Sequence, residues 1–342
     1  DSMRRWSEQY LRTGEPHAES DSALFRFLNT SKQSVSGELG DDAVESLIAG
    51  ADIVINNFPA GVLDVDRFCR EYPQLVLLSI TPWGHSGPYR DRPATEFILQ
   101  AESGSLSLRG LPEQPPVMAG GRVTEWVGGT YAAVAALAAA REARRSGMGD
   151  HIDFSLLEVM AIAGTSYADM MASLTGRPEI TAPLRTVEVP SIEPTKDGWV
   201  GFNTNSNQQY TDFLVLIGRT DLLADKQLAT IFGRSARMEE WNAIVREWTR
   251  QRTTAEIVEA AALLRIPVAP VNNGETVLAH EHFKARGVFV ENPGGGFLQP
   301  RSPYRVNGQA PGQLRAAPGI GEDDASVLAR PPRAAAPDAD EA

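Results

Sequence analysis

The sequence has 342 residues, of which 42% are apolar, so it is long enough for about two domains of ~100–200 residues with real hydrophobic cores. This excludes a disordered chain, a collagen and a knotted mini-protein. The 44 acidic and 32 basic side chains give a net charge of −12, which argues against nucleic acid or an anionic membrane as a general partner.

The first regular element that the sequence predicts is a buried strand. Asp52–Asn56 is a short run with β-branched residues, and a second such run, Leu75–Ile80, follows downstream. Gly61–Tyr72 lies between them and carries apolar residues at helical spacing. Strand, helix and strand form a βαβ unit, which favours parallel pairing and predicts an N-terminal α/β domain.

A turn-rich loop and two helical stretches follow the second strand. Thr81–Pro93 is dense in turn-forming residues directly after that strand, where open α/β sheets place their binding loops. Helices are predicted over Thr95–Ser105 and Thr124–Arg145, and a strand over His151–Ser155 leads into a helix through Leu174. The alternation of strands and helices therefore continues.

The composition changes around Asp197-Gly198, whose strand-like flanks predict a hairpin. An amphipathic helix is predicted over Arg237–Arg250, and a second helix begins at the capping box Thr253–Glu256. A strand-like run, Ile266–Val271, comes after it. The last residues, 330–342, are rich in Pro, Ala and Asp and predict a disordered tail.

Several common chemistries lack their sequence patterns here. The five histidines show none of the spacings of a metal site, so no metal is expected. G-x-S-x-G is absent, and the triplet Gly294–Gly296 has no following Lys-Ser/Thr, which argues against a serine hydrolase and a phosphate loop. Val127–Ala140, the most apolar stretch, is too short to cross a membrane. Cys69 is the single cysteine and forms no internal disulfide, and we expect a cytoplasmic location.

A carboxylate remains as the candidate catalytic group. Glu125 opens the alanine-rich helix, and Gly128 and Gly129 follow one turn later. A carboxylate in a first helical turn is stabilised by the helix dipole and by free backbone N–H groups. Glu125 either only stabilises this terminus or acts as a nucleophile, to which the two small glycines let a bulky thioester approach. The spacing alone does not choose between these roles.

Five segments follow one another in the order of a known family. They are Leu28–Ser34, Ala51–Phe58 with Gly61–Leu63, the Gly-x-x-Gly-Pro loop within Ser79–Tyr89, Gln100–Gly104 and Gly147–Glu158. Together they resemble the class III coenzyme A-transferase family, which includes formyl-CoA transferase, carnitine-CoA transferase and α-methylacyl-CoA racemase. The resemblance covers most of the chain.

The resemblance also implies the site residues. The family's catalytic aspartate lies in a stretch similar to Thr124–Ala133, so the role of nucleophile falls on Glu125, whose side chain is one methylene longer. Backbone N–H groups near Gly128 and Gly129, or in the polar loop Asn203–Asn207, would stabilise the oxyanion. The residues implied to bind coenzyme A are Lys32, Asn57, Phe58, Gly84, Gly87, Pro88 and Arg90.

The architecture implied by the resemblance is an α/β fold with a Rossmann-like large domain, a smaller α+β domain and an interlocked homodimer. The large domain would comprise residues 1–186 and 295–329, and the small domain residues 187–294. Members of the family begin with a strand and helix that contact coenzyme A, and this sequence begins after that segment. We expect this βα element to be missing through truncation or to be supplied by another chain.

The function implied is transfer of coenzyme A from an acyl-CoA to a carboxylic acid through a glutamyl-CoA thioester on Glu125. An acyl-CoA racemase, isomerase or dehydratase is one alternative. Racemases of the family pair the catalytic aspartate with a histidine as a second base, and the corresponding position in this sequence is Thr95, which cannot act as that base. A non-catalytic acyl-CoA-binding subunit is the other alternative, favoured by the missing opening segment and the altered carboxylate.

Overall fold

The computed structural model describes residues 2–6, 12–13, 21–111, 113–164, 189–310 and 312–329. The chain divides into two units, one that combines Asp1–Pro183 with Val290–Ala342 and one that consists of Leu184–Phe289. Three predictions lie outside the described residues: the continuation of a helix to Leu174, the domain boundary at residue 186, and the disordered tail over residues 330–342.

Within the described part of the first unit, three strands form a parallel sheet in the order β1 (Ile53–Asn56), β2 (Val76–Thr81), β3 (His151–Ser155). The parallel α/β sheet predicted from the βαβ pattern is confirmed. The register places Asn56 opposite Ser79, and Thr81 opposite Ser155. The carboxyl ends of β1, β2 and β3 therefore meet at one edge of the sheet, from which the loops that follow the strands emerge.

Helices cover both faces of this sheet. The described helices of the first unit are α1 (Ala23–Leu28), α2 (Asp42–Ala49), α3 (Val65–Glu71), α4 (Glu96–Glu102), α5 (Val123–Ser146), α6 (Leu156–Gly164) and α13 (Asp324–Val327), with 3-10 helices at Ser2–Arg5 and Ser105–Leu108. Two further strands, β7 (Phe289–Glu291) and β8 (Leu298–Pro300), pair with each other. No described helix is long and apolar enough to cross a membrane.

The alanine-rich helix α5 packs on one face of β2. Successive strand residues point to opposite faces, so Val76 and Leu78 face α5 while Leu77 faces away from it. The buried residues of α5 on this face are small and recur every four positions: Ala132, Ala136 and Ala140. Small side chains at this spacing bring the backbone of α5 close to the sheet. The opposite face packs against α2 and α3.

In the described residues a 3-10 helix and two α-helices precede the first strand, so the prediction that β1 is the first regular element is wrong. Helix α1 has six residues and is capped by Ser22, whose hydroxyl accepts a hydrogen bond from the amide of Phe25. Helix α2 buries Ile48 alone among its residues. Both helices are short, with six and eight residues, so tertiary packing decides their conformation.

The second unit contains the predicted hairpin. In its described residues, β4 (Ile192–Pro194), β5 (Trp199–Phe202) and β6 (Val268–Pro270) form an antiparallel sheet. The helices are α7 (Asn207–Leu216), α8 (Ile231–Ala236), α9 (Met238–Thr249), α10 (Thr254–Leu263), α11 (Thr276–Ala279) and α12 (Glu281–Arg286), with a 3-10 helix at Thr220–Ala224. Phe213 and Trp241 are fully buried in its core. The predicted capping box at Thr253 is confirmed.

Candidate active site

The loop after β2 is fixed by side chains at the carboxyl edge of the sheet. The amide of Gly84 donates to Oγ1 of Thr81 at 2.8 Å, and the amide of His85 donates to both carboxylate oxygens of Asp153 at 2.9 and 3.0 Å. Gly84 and Gly87 have φ of 86° and 87°, a left-handed conformation that strains residues with a side chain. The glycines therefore allow the turn that Asp153 anchors.

This loop lines a cleft of about 310 Å³ together with the end of β3 and the start of α6. The lining residues are Trp83, Gly84, Ser86, Gly87, Pro88, Tyr89, Asp153, Ser155, Leu157 and Glu158. Three of the predicted coenzyme-binding residues thus lie together in one cleft. Trp83 itself is buried, with its indole N–H bonded to the carbonyl of Arg92 at 2.8 Å.

The loop after β1 joins this loop through an arginine. Asn57 and Phe58 are exposed directly after β1, and the amide of Phe58 donates to Oδ1 of Asn56 at 3.3 Å. The guanidinium of Arg90 lies beside Gly61, where a Cβ would be 3.7 Å from Nη2 of the arginine. Arg90, whose Nε also lies 3.3 Å from Oδ1 of Asp91, therefore brings a guanidinium to the edge of the sheet where both loops emerge.

Lys32 lies apart from these loops in its described contacts. Its Nζ donates to Oδ1 of Asn29 at 3.0 Å, and the side chain is exposed. The neighbouring Ser31 exchanges backbone and hydroxyl hydrogen bonds with Arg315. The contacts that join the loops after β1 and β2 do not include Lys32.

A partly buried chain of polar side chains runs across the sheet below the loop after β2, and it was not predicted from the sequence. Nδ2 of Asn56 donates to Oγ of Ser79 at 2.9 Å, and Ser79 lies 3.1 Å from Nε2 of His151. The rings of His151 and His85 are 5.5 Å apart. Burial, and secondarily the proximity of His85, lower the pKa of His151, so its imidazole is neutral at neutral pH.

Glu125 lies in the first turn of α5, as the sequence predicts, and its side chain is 41% exposed. The guanidinium of Arg122, the N-cap residue, binds both carboxylate oxygens: Nε meets Oε2 and Nη2 meets Oε1. The guanidinium also stacks on the ring of Trp6, 4.1 Å from its centroid. The candidate nucleophile is thus accessible, and in this conformation it is paired with a cation.

A second carboxylate, Glu96 of α4, caps the same helical turn. Its Oε1 accepts a hydrogen bond from the amide of Thr124 at 2.9 Å and one from Nε2 of Gln100 at 2.7 Å. Gln100 is fully buried and also pairs with the backbone N–H and C=O of Ala119. Oε2 of Glu96 is buried and has no hydrogen-bond partner in the described chain. Glu96 and Gln100 together hold the turn that carries Glu125.

The two glycines of α5 have different surroundings. Gly128 is buried, and a Cβ there would overlap the side chain of Leu156, whereas Gly129 is exposed with open space around it. Both lie in the second turn of the helix, where backbone amides bond to carbonyls of the preceding turn. Their own amides are therefore engaged within the helix in this conformation, and the role of backbone N–H groups near them as oxyanion donors stays a prediction. Because Gly128 has no side chain, α5 can approach Leu156, whose sequence neighbours Ser155 and Leu157 line the cleft.

The other predicted source of oxyanion donors, the polar stretch Asn203–Asn207, belongs to the second unit. Its last residues form the start of α7 instead of a free loop. Oγ of Ser206 accepts from the amide of Gln209, whose side chain in turn accepts from the amide of Ser206. The hydroxyl of Thr204 donates to the carbonyl of Val189 at 3.3 Å. These groups are used within the second unit.

Comparison with known proteins identifies a family and several relatives. The family model "CoA-transferase family III" matches residues 1–324. The chain is 29% identical to succinate–glutarate CoA-transferase of Agrobacterium fabrum, covering 96% of this chain and 85% of that protein. It is 27% identical to the succinyl-CoA–L-malate CoA-transferase beta subunit of Chloroflexus aurantiacus, covering 96% and 84%. The crystal structure of a CAIB/BAIF family protein from Brucella suis matches with a TM-score of 0.82 and 27% identity, covering 96% and 88%.

Proposed function

The chain belongs to CoA-transferase family III and is an enzyme of that class, and we propose that it moves coenzyme A between two carboxylic acids through a thioester on Glu125. The observation that carries this proposal is the placement of an accessible carboxylate in the first turn of α5. That turn is held by Glu96, and in the next turn Gly128 packs against Leu156, the residue between Ser155 and Leu157 of the cleft.

The chemistry proceeds by two acyl exchanges. A carboxylate oxygen of Glu125 attacks the thioester carbonyl of the donor, the C–S bond breaks, and a mixed anhydride and the CoA thiolate result. The thiolate then attacks the glutamyl carbonyl carbon, the anhydride C–O bond breaks, and the donor acid leaves as a carboxylate. The acceptor acid reverses both steps and regenerates the free carboxylate of Glu125. No proton has to be moved in this sequence.

The helix terminus favours this chemistry. The dipole of α5 stabilises negative charge in its first turn, so it stabilises the Glu125 carboxylate as the leaving group of the last step, in which the thiolate attacks the acyl carbonyl of the acceptor. Gly129 leaves open space one turn further on, where a bulky thioester has to approach. Both features suit a carboxylate that is repeatedly acylated and released.

For coenzyme A we propose binding at the carboxyl edge of the sheet. Arg90 supplies a cation for a phosphate, and the backbone of Gly84, Gly87 and Pro88 lines the cleft. Asn57 and Phe58 are exposed after β1, and Lys32 is an exposed cation whose ammonium group donates to Asn29. Because the net charge is −12, a polyanionic ligand has to be held by such local cations and by backbone dipoles.

The alternatives are less well supported. Acyl-CoA racemisation needs a base on each face of the α-carbon, and Thr95, at the position of the racemase histidine, caps α4 by accepting from the amide of Ile98. Membership of an enzyme family argues against a non-catalytic subunit. A homodimer remains part of the proposal, supported by Val134 and Leu137, which α5 leaves 65% and 67% exposed. A monomeric mass in sedimentation equilibrium would contradict the dimer.

The test of the proposed nucleophile is direct trapping. We expect that incubation with succinyl-CoA adds coenzyme A to the peptide that contains Glu125, and that hydroxylamine converts this residue to its hydroxamate. Glu125→Gln should form no adduct and lose transferase activity, because an amide does not attack the thioester. Glu142→Gln, which removes another exposed carboxylate of α5, is the matched control and should behave like the wild type. Full transferase activity in E125Q would refute the proposal.

A further inference from the structure

Arg122 has an unusual position at the start of α5. Its φ of 57° and ψ of 48° lie in the left-handed region, which is uncommon for a residue with a long side chain. This conformation directs the chain so that the guanidinium face lies on Trp6 and its edge meets the carboxylate of Glu125. The stacking leaves the donor edge of the guanidinium free to bind a planar carboxylate with two nitrogens.

The pair of Arg122 and Glu125 is well suited to exchange partners. The two side chains are 39% and 41% exposed, so water has access to the ion pair and can replace one of its hydrogen bonds. Both oxygens of Glu125 face the guanidinium in this conformation. The guanidinium therefore has to release at least one oxygen before Glu125 attacks a thioester, and the solvent access of the pair permits that release.

The proposed reaction moves one negative charge away from Glu125 and back again. In the free enzyme the charge is on Glu125; after the first attack it is on the CoA thiolate. When the thiolate attacks the glutamyl carbonyl, the charge appears on the released acid, and residue 125 becomes an uncharged thioester. The enzyme–CoA thioester thus contains a guanidinium without its carboxylate at the stage when a free carboxylic acid leaves or enters.

We propose that Arg122 is the binding residue for the carboxylate of the acid substrates. This inference rests on the proposed thioester at Glu125. Arg122 pairs with Glu125 in the free enzyme and with the departing or entering acid in the enzyme–CoA thioester. The acid is thereby held by two charge-assisted hydrogen bonds beside the glutamyl carbonyl that it attacks. Trp6 keeps the guanidinium in place while the partner changes.

The experiment separates the two half-reactions. In the first, enzyme and succinyl-CoA are mixed and the enzyme–CoA thioester is followed by mass. In the second, the isolated thioester is mixed with glutarate over a range of concentrations, or with hydroxylamine, an uncharged acceptor that needs no guanidinium. The variants are Arg122→Gln and Arg122→Lys, with Arg145→Gln as the control, because Arg145 forms an equivalent i,i+3 pair with Glu142 on the same helix.

For R122Q we expect thioester formation to be retained, since Glu125 keeps its place in the helix. The concentration of glutarate needed for half-maximal rate should rise about 10- to 100-fold, the loss expected for hydrogen bonds to a charged group. R122K should lie between R122Q and the wild type, because it keeps the charge but loses the bidentate geometry. Hydroxylamine should discharge all the thioesters at the same rate, and R145Q should match the wild type throughout.

An unchanged glutarate dependence in R122Q would overturn this inference and leave the thioester mechanism standing. An equal slowing with glutarate and hydroxylamine would also overturn it, because that pattern indicates general damage to the site. If the wild type forms no thioester on Glu125, the proposed function fails, and the role of Arg122 fails with it. The two failures are therefore distinguished by the first half-reaction of the wild-type enzyme.

Discussion

Removal of the Glu96 carboxylate tests whether this side chain holds the catalytic turn. In Glu96→Ala, the amide of Thr124 loses its acceptor, and Thr124 is fully buried, so water cannot replace it. Gln100 loses one partner but keeps the backbone of Ala119. The perturbation is therefore concentrated at the residue directly before Glu125.

The expected magnitude follows from these contacts. A buried hydrogen bond to a charged acceptor contributes about 1.5–3 kcal/mol, and a negative charge at a helix N-terminus about 0.3–1 kcal/mol. We expect E96A to lower the free energy of unfolding of the first unit by about 2–4 kcal/mol. A small displacement of Glu125 should also slow thioester formation at least ~10-fold, since reacting atoms tolerate little misplacement.

The assay combines urea unfolding with the rate of thioester formation from succinyl-CoA. Glu102→Ala is the matched control, because Glu102 lies at the exposed end of the same helix α4. A carboxylate near a helix C-terminus is unfavourable, so E102A should be neutral or slightly stabilising. If E96A unfolds at the same urea concentration as E102A and forms the thioester as fast, Glu96 does not support the turn.

Two further predictions concern the packing of α5 and the buried histidine. Gly128→Ala should lower the free energy of unfolding by about 1–3 kcal/mol, because the added methyl group overlaps the side chain of Leu156. Gly129→Ala places its methyl group in open space and should raise the free energy of unfolding by about 0.5–1 kcal/mol. Equal urea midpoints for the two variants would contradict this packing. Burial lowers the pKa of His151 in the folded protein. Below about pH 6.5 the unfolded chain therefore binds more protons at this residue than the folded protein does. The free energy of unfolding decreases as the pH falls through this range. His151→Asn should therefore show a smaller loss of urea midpoint than the wild type between about pH 7.5 and about pH 5.5, and parallel profiles would refute the assignment.

The sheet and its main helix are predictable from the sequence because their signals are local. The predicted strand His151–Ser155 coincides with β3, and the predicted helix Thr124–Arg145 differs from α5 by one residue at each end. A short run of apolar residues indicates a strand and a long alanine-rich stretch indicates a helix, whichever element each of them packs against. Helix α7 was missed because its capping box, Ser206 with Gln209, lies in a stretch of polar residues that also suits a loop.

The contacts that build the site are not predictable in this way. Thr124 and Glu96 are 28 residues apart, and His85 and Asp153 are 68 residues apart, so no window of the sequence contains both partners. The resemblance to the family supplies the nucleophile and the glycine loop, but it names neither Glu96 nor Asp153 as a support. One local signal was present: Glu96 and Gln100 are four residues apart, which places them on the same side of a helix.

The pairing of Arg122 with Glu125 also gives the longer carboxylate a physical role. The resemblance implies an aspartate at this position, and glutamate extends the carboxylate by one methylene. A residue in the first turn that has this extra reach can turn back to its own N-cap, where the left-handed backbone of Arg122 presents the guanidinium. In the proposed mechanism the additional methylene and the arginine act together: the methylene brings the carboxylate of Glu125 to the guanidinium, and the guanidinium remains there to bind the acid when Glu125 is acylated.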